Sequence, residues 1–185
     1  MRTLVIYLTA LVLAAPTLTA CVAGPSGNAR VPEPAKTVEL ARYQGLWHEF
    51  ARYENSFEKD CEGVTAEYAP RPEGGVTVTN TCRKGGLSGE VKVARGKGLP
   101  AGDPMGAKLK VTFFGPALLT NYWVLDRADD YSWAIVGDGS GRFFWILTRE
   151  AQPSAARREA LLARSKSLGY DLDLLRMTRQ PGAPS

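Results

Sequence analysis

The sequence predicts an all-β domain: an eight-stranded antiparallel up-and-down barrel, with one α-helix packed outside and a short final strand. Three observations support this fold class. Short segments rich in β-branched and aromatic residues recur at regular spacing after Gly45, and clusters of Gly, Pro, Asp or Asn separate most of them. The pattern becomes helical only after Arg149. A chain of 185 residues is long enough for one such domain and short for two.

The first twenty residues predict a secretion signal. Arg2 supplies a positive start, and residues 4–13 form an apolar run that is too short to span a bilayer of about 30 Å. Leu18-Thr19-Ala20-Cys21 then matches a lipobox, in which the cysteine is acylated before cleavage. We predict a lipoprotein signal peptide over residues 1–20 and lipidation at Cys21, which would anchor the protein stably to a membrane. The alternative is an ordinary secretory signal with a chance cysteine.

Val22 follows the lipobox cysteine, where an aspartate commonly retains such proteins at the inner membrane. We therefore expect a lipid-anchored location at the outer membrane, if the cell has one. The periplasmic side is favoured, but the sequence leaves the face of the membrane open. Residues 21–36 are rich in Gly, Pro, Ser and Ala, which is typical of a flexible tether, and the barrel domain is expected over residues 37–182. The formal net charge is only +4, and the basic residues are scattered. Nucleic-acid-binding domains usually concentrate such residues on one face, so we expect no nucleic-acid partner.

Eight strands are predicted between the turn signals. They span Trp47–Tyr53, Gly63–Ala69, Val76–Cys82, Gly89–Arg95, Ala107–Phe114, Asn121–Asp126, Tyr131–Val136 and Arg142–Arg149. Pro153 suits the start of a helix whose leucines fall on one side at helical spacing, and Gly169 suits its C-terminal cap. A last short strand is predicted over Leu172–Met177.

Two cysteines remain in the mature domain, and an even count in an exported protein indicates a disulfide. Alternate turns of an up-and-down barrel lie at opposite ends. Cys61 at the start of the second strand and Cys82 at the end of the third are therefore neighbours, at the end opposite Gly45. A bond between them would stabilise the fold by about 3 kcal/mol. Two free thiols are the alternative.

Three sequence motifs occur in order along the predicted barrel. Gly45-Leu46-Trp47 opens the first strand, Asp130-Tyr131 precedes the seventh, and Arg149 closes the eighth. With this spacing and the lipobox, the chain resembles the lipocalin family over about residues 40–182. It is most similar to bacterial outer-membrane lipocalins and, more distantly, to apolipoprotein D.

The resemblance implies structural roles for the motif residues. Arg149 is expected to lie across the indole of Trp47 in a cation–π contact and to donate to nearby backbone carbonyls, which fastens the first strand to the eighth. Gly45, Asp130 and Tyr131 complete this structural set. None of these residues is expected to be catalytic.

The resemblance, combined with the alternation of side chains along a strand, also implies which residues face the interior. Glu49 and Ala51 are expected to share the inward face of the first strand, whereas Lys108, Lys110 and Thr112 face water on the fifth. The orientation of Trp133 stays open. The expected ligand-binding residues are Tyr53, Tyr68, Val78, Asn80, Val111, Phe113, Tyr122, Val124, Phe143, Trp145 and Leu147.

A mainly apolar interior with a few hydroxyl and amide groups is typical of a small-molecule pocket. We predict that the protein binds, and stores or carries, a small amphiphile such as a fatty acid or a lysophospholipid, with no metal or other cofactor. Arg83 and Lys84 follow Cys82 at the expected mouth of the barrel. They are candidates to meet a carboxylate or phosphate; ordinary surface charge is the equal alternative.

Other functions stay open at this stage. The interior could be filled by its own side chains, which would suit an envelope structural or partner-binding lipoprotein with a vestigial pocket. A lipid-modifying enzyme is the third class, but we expect no catalysis. Both mature-domain cysteines are expected to be paired, Cys21 to be acylated, and the only histidine, His48, to point outward. The sequence leaves open whether the chain forms a homodimer.

Overall fold

The computed structural model describes residues 27–113 and 119–182 and confirms the predicted barrel. Its strands are β1 Gly45–Tyr53, β2 Cys61–Pro70, β3 Val76–Lys84, β4 Glu90–Pro100, β5 Lys108–Thr112, β6 Thr120–Arg127, β7 Trp133–Gly137, β8 Phe144–Thr148 and β9 Leu175–Met177. Two α-helices, α1 Leu40–Tyr43 and α2 Ala155–Ser167, and a 3₁₀ turn, Leu172–Leu174, complete the described elements.

Strands β1 to β7 each pair antiparallel with the next strand in the chain, and β8 pairs with β1, so the sheet closes on itself. His48 shows the closure directly, because it pairs with Thr65 of β2 on one side and with Thr148 of β8 on the other. Strand β9 pairs with the last part of β1, where Tyr53 lies opposite Leu175. Helix α1 covers the end where β1 begins, and among the described residues no helix covers the other end.

Two apolar clusters hold the fold together. The interior cluster fills the closed half of the barrel and includes Trp47, Tyr68 and Leu109. The outer cluster lies between the barrel wall and α2 and includes Phe144 and Leu161. Alternation along each strand sends neighbouring side chains to the two clusters in turn.

Helix α2 lies against the outer cluster as the sequence predicts. Ser154 caps its first turn by accepting from the backbone N–H of Arg157, and Gly169 ends it at a φ of +90°, which favours glycine. The Arg164 guanidinium donates to the Asp126 carboxylate of β6 at 2.6 Å, which ties the helix to the barrel wall.

Three segments differ most from the sequence prediction. The predicted last strand over Leu172–Met177 is a 3₁₀ turn at Leu172–Leu174 followed by β9. Strand β4 was predicted to end at Arg95, since the glycines that follow disfavour strands, but it extends to Pro100. Gly96 and Gly98 continue the pairing with β3, opposite Val78 and Val76. Residues 27–36, predicted to be part of a flexible tether, run along the outside of the barrel. There the Asn28 side chain donates to the carbonyl of Leu168 at 2.9 Å.

Cys21, the lipobox and residues 21–26 lie outside the described residues, as do residues 114–118 and 183–185. Within the described parts of the chain, no helix is long and apolar enough to cross a bilayer.

Candidate ligand-binding site

The closed end of the barrel is fastened by Arg149. Its guanidinium carbon lies 3.7 Å from the centroid of the Trp47 ring, so the predicted cation–π contact is present. The same guanidinium donates to the backbone carbonyls of Leu46 at 2.7 Å and Gln44 at 2.8 Å, and more weakly to those of neighbouring residues. The Trp47 indole N–H donates to the carbonyl of Tyr43 at 2.8 Å. These contacts join β1, β8 and α1.

Tyr131 lies at the same end and is held by two cations. The guanidinium carbons of Arg42 and Arg127 lie 4.4 Å and 4.1 Å from its ring centroid. Its neighbour Asp130 accepts from the backbone N–H of Ser132 in the turn before β7. Gly45 has a φ of +91°, which favours glycine, and an added Cβ would lie 3.4 Å from the Arg149 guanidinium.

Most of the residues predicted to bind ligand face the barrel interior. Val124 and Val111 are buried in the interior cluster, and the side chains of Asn80 and Ala66 pair across β2 and β3 on the same face. On β5, Lys108 and Lys110 face outward, where Lys108 packs over the ring of Trp123. The predicted residues that point inward are Tyr68, Val78, Asn80, Val111, Phe113, Tyr122, Val124, Phe143, Trp145 and Leu147.

The predicted inward orientation of Tyr53 and Ala51 is wrong. A register shift in β1 between Glu49 and Ala51 accommodates one extra residue and reverses the alternation beyond it. Tyr53 and Ala51 therefore lie in the outer cluster, and the Tyr53 hydroxyl donates to the backbone carbonyl of Asp171 at 2.9 Å. We remove Tyr53 from the candidate binding residues. Trp133, whose orientation the sequence left open, packs against the outer cluster.

The same bulge turns Arg52 into the barrel, which the sequence analysis missed. Arg52 is fully buried, pairs with Trp145 across β1 and β8, and donates to the Glu49 carboxylate at 2.7 Å. Thr178, which follows β9, bonds to both side chains. Burial raises the pKa of Glu49 to about 8 and the charge of Glu58 adds to this, while Arg52 lowers it. A polar network thus occupies the wall where β9 joins β1.

Three buried phenols form a hydrogen-bonded chain inside the barrel. The hydroxyls of Tyr43 and Tyr68 each lie 2.7 Å from the hydroxyl of Tyr122. Burial raises the pKa of all three, so they stay protonated and carry three protons for two bonds. One of the three protons is therefore not used in the bonds between these hydroxyls. Asn80 adds an acceptor, since its buried Oδ1 has no partner among the described residues.

The open end of the barrel is shaped by the loop between β1 and β2, residues 54–60. Arg52 fixes this loop from inside by donating to the backbone carbonyl of Glu58 at 3.0 Å. The Glu58 carboxylate in turn accepts from the indole N–H of Trp145 at 2.9 Å and from the Asn55 amide at 2.7 Å. Phe57 at the tip of the loop is 61% exposed.

The disulfide predicted between Cys61 and Cys82 is confirmed, with a Cα–Cα distance of 5.4 Å. It joins β2 to β3 at the open end. Arg83 lies on the outward face of β3, where it pairs with Glu62. Lys84 donates its ammonium to the backbone carbonyl of Lys59. Arg83 therefore points away from the barrel, whereas Lys84 shares the inward face of β3 with Asn80 and Cys82 and reaches the loop at the rim. The hypothesis of a charged mouth is not supported for Arg83 and stays a prediction for Lys84.

Accessibility rises along the barrel from the closed end to the open end. Trp47, Val76 and Leu109 near the closed end are at most 1% exposed. Toward the open end, Asn80 and Trp145 are half-buried, and Ala94, which pairs with Asn80 on the inward face of β4, is exposed. The interior thus has a packed floor and a wall that solvent reaches from the open end.

The described residues contain no cluster of side chains with the chemistry of a metal centre. No group of three or more His, Cys, Asp or Glu side chains there could hold a metal ion. His48 lies on the outer face of β1 beside Gln180, and burial lowers its pKa.

Comparison with known proteins places this barrel in a family. The chain is 36% identical over 163 residues to the outer membrane lipoprotein Blc of Vibrio cholerae, covering 84% of this chain and 92% of that protein. It is 34% identical over 161 residues to Blc of Citrobacter freundii, covering 82% and 88%. Temperature-induced lipocalin-1 of Arabidopsis thaliana is 33% identical over 159 residues, covering 82% and 84%.

Solved structures share the fold at lower sequence identity. Insecticyanin from the tobacco hornworm Manduca sexta superposes with a TM-score of 0.66 at 20% identity, over 84% of this chain and 88% of that one. Lobster apocrustacyanin A1 gives 0.65 at 18% identity, over 87% and 94%. The lipocalin-like domain profile matches residues 38–180, which span the barrel, α2 and β9. The chain belongs to the lipocalin family.

Proposed function

We propose that this lipocalin binds one small amphiphile, such as a fatty acid or a lysophospholipid, in the open half of its barrel. The observation that carries the proposal is the gradient of accessibility. The floor around Trp47 is packed, while Ala94 and Asn80 on the inward face of the open half remain in contact with solvent. A pocket that is apolar, open at one end and lined by a few polar groups suits a ligand with one apolar end.

Burial of the acyl chain supplies the driving force. Each square ångström of apolar surface removed from water contributes about 25 cal/mol, from which the cost of ordering the ligand is subtracted. The Oδ1 of Asn80, an acceptor in the open half, can pair with a hydroxyl group of the ligand. Leaving such groups unpaired in the interior would cost affinity.

We also propose that a lipid on Cys21 holds the protein at the outer membrane, on its periplasmic side. The relatives named outer membrane lipoprotein support this location. Residue Asn28 supports a specific orientation, because its backbone N–H donates at 2.9 Å to the carbonyl of Gly141 in the loop between β7 and β8. That loop lies at the open end. The few residues from Cys21 to Gly27 reach at most about 20 Å, so the anchor would keep the open end near the bilayer.

The proposed activity is binding and carriage, not catalysis. Cys61 and Cys82 are joined in a disulfide, which leaves neither as a nucleophile. The single histidine, His48, lies on the outer face of β1, away from the barrel interior.

A displacement titration tests the proposal. Delipidated protein is loaded with a fluorescent fatty acid, which is then displaced by unlabelled lipids. Ala94→Trp places a ring in the open half of the barrel, and Val93→Trp places the same ring on the outside of the same strand. We expect stoichiometric displacement with wild type and with Val93→Trp, and at least tenfold weaker binding with Ala94→Trp. Absence of saturable binding across lipid classes would contradict the proposal and favour an envelope protein with a vestigial pocket.

A further inference from the structure

A carboxylate without a cationic partner lies at the open end of the barrel. The backbone N–H of Glu58 donates to Asn55 Oδ1 at 2.9 Å, which closes a tight turn in the loop between β1 and β2. One carboxylate oxygen of Glu58, Oε2, accepts from Trp145 and from Asn55, and both donors are neutral. Within the described residues, Oε1 has no hydrogen-bond partner and Glu58 makes no ion pair. The turn and the indole thus hold a charged group in place with one face left open.

Within the described residues, the cations near this end of the barrel make no ion pair with the Glu58 carboxylate. Arg52 donates to the Glu49 side chain at 2.7 Å and lies 3.4 Å from the Glu54 carboxylate, and it reaches Glu58 only at the backbone carbonyl. Lys84 is bonded to a backbone carbonyl of the same loop. Across the open end, the ammonium of Lys92 on β4 is paired with Glu90 at 2.6 Å. The negative charge of Glu58 is therefore not balanced by a dedicated partner.

Aromatic rings surround this carboxylate. Phe143 and Trp145 lie nearly parallel, at an interplanar angle of 8° and a centroid distance of 6.0 Å. Phe57 lies 5.6 Å from Phe143 and 6.3 Å from Trp145, and it keeps most of its surface in solvent. Aromatic faces beside a carboxylate are the chemistry that binds organic ammonium groups, because the ring quadrupole and the anion both attract a weakly hydrated cation.

We propose that Glu58, Phe57 and Trp145 bind the ammonium group of the ligand's headgroup, so that the protein prefers amphiphiles with an ammonium to free fatty acids of the same chain. This inference rests on the proposed function and narrows its ligand class. It replaces the expectation, drawn from Arg83 and Lys84, that the open end selects anions. A fatty-acid carboxylate at this position would instead face the Glu58 carboxylate, which is unfavourable.

The test compares four ligands with the same saturated chain: palmitic acid, monopalmitoylglycerol, palmitoyl lysophosphatidylcholine and hexadecyltrimethylammonium. Each displaces a neutral naphthylamine probe from delipidated protein, below its critical micelle concentration. We expect both ammonium-bearing ligands to bind about tenfold more tightly than palmitic acid, in line with a partly desolvated cation–π contact and an ion pair. Monopalmitoylglycerol, which has no charge, is expected to lie between them.

Glu58→Gln keeps the bond from Trp145 and removes the charge, and we expect it to abolish the preference while leaving monopalmitoylglycerol unchanged. Phe57→Ala, at an exposed position, is expected to reduce the preference several-fold. Glu90→Gln removes a carboxylate from the same end of the barrel, away from the rings, and serves as the control. Unfolding midpoints confirm that the variants fold.

Equal affinity of wild type for palmitic acid and the ammonium ligands, or an unchanged preference in Glu58→Gln, would overturn the proposed ammonium site while leaving the proposed function intact. Failure of all four ligands, including the uncharged one, would instead overturn the proposed function itself.

Discussion

Replacing Arg149 with methionine removes the contacts that close the barrel at its packed end. Two short bonds are lost, to the carbonyls of Leu46 at 2.7 Å and Gln44 at 2.8 Å, together with the contact to the Trp47 ring at 3.7 Å. At a half-buried site each bond contributes about 1 kcal/mol, and the cation–π contact contributes a similar amount. We expect Arg149→Met to lower the free energy of unfolding by about 3 kcal/mol, a large part of the stability of a small domain.

Urea unfolding of the oxidised protein, followed by tryptophan fluorescence, measures this loss. Arg149→Lys keeps a cation near the ring but cannot donate to several carbonyls at once, so we expect it to lose about half as much. Arg95→Met is the control, because Arg95 is exposed on β4 and makes no polar contact within the described residues. If the free energies of unfolding of Arg149→Met and Arg95→Met differ by less than about 0.5 kcal/mol, Arg149 does not close the barrel as proposed.

Three further predictions concern the disulfide, the buried acid and the bulge. Replacing Cys61 and Cys82 with alanine removes a link across a sequence separation of 21, and we expect unfolding experiments to show a loss of about 3 kcal/mol; a loss below about 1 kcal/mol would contradict this. Glu49 has an ordinary pKa of 4.5 and a pKa of about 8 in the fold, so the folded state holds the proton more tightly. Its contribution to the free energy of unfolding is fully present below pH 4.5 and is lost as the pH rises from 4.5 to about 8, with a slope of at most about 1.4 kcal/mol per pH unit. We expect Glu49→Gln to flatten the plot of unfolding free energy against pH in this range. A profile that is equally steep in the variant would refute the assignment. Tyr53→Phe is expected to cost about 1 kcal/mol through the lost bond to Asp171 while leaving lipid affinity unchanged, and a weaker affinity would place Tyr53 back in the pocket.

Local rules predicted much of the barrel from the sequence. Turn residues marked the ends of most strands. The inward faces of β2, β5 and β6 were implied by the family resemblance, and alternation from Tyr68, Val111 and Tyr122 then assigned their neighbours correctly. The disulfide followed from strand count alone, because an up-and-down topology places Cys61 and Cys82 at one end. These features depend on neighbours along the chain or on simple connectivity.

The second half of β1 could not be predicted in the same way. The bulge before Ala51 is set by the pairing of β1 with β8 and β9. These two strands lie near the other end of the domain in sequence, so local patterns around Ala51 do not reveal the bulge. The reversed alternation moves Tyr53 out and Arg52 in, and Arg52 then positions the loop that carries Glu58. A buried arginine at this position contradicts ordinary burial preferences, and the only hint in the sequence is Glu49 nearby as its partner.

The central claim is that one amphiphile occupies the open half of the barrel, and native mass spectrometry of the gently extracted full-length protein tests it most directly. We expect a population heavier by one lipid per chain in wild type and in Val93→Trp, and loss of that population in Ala94→Trp. The claim would be contradicted if wild type carried no bound lipid, or if the two tryptophan variants carried equal amounts of it.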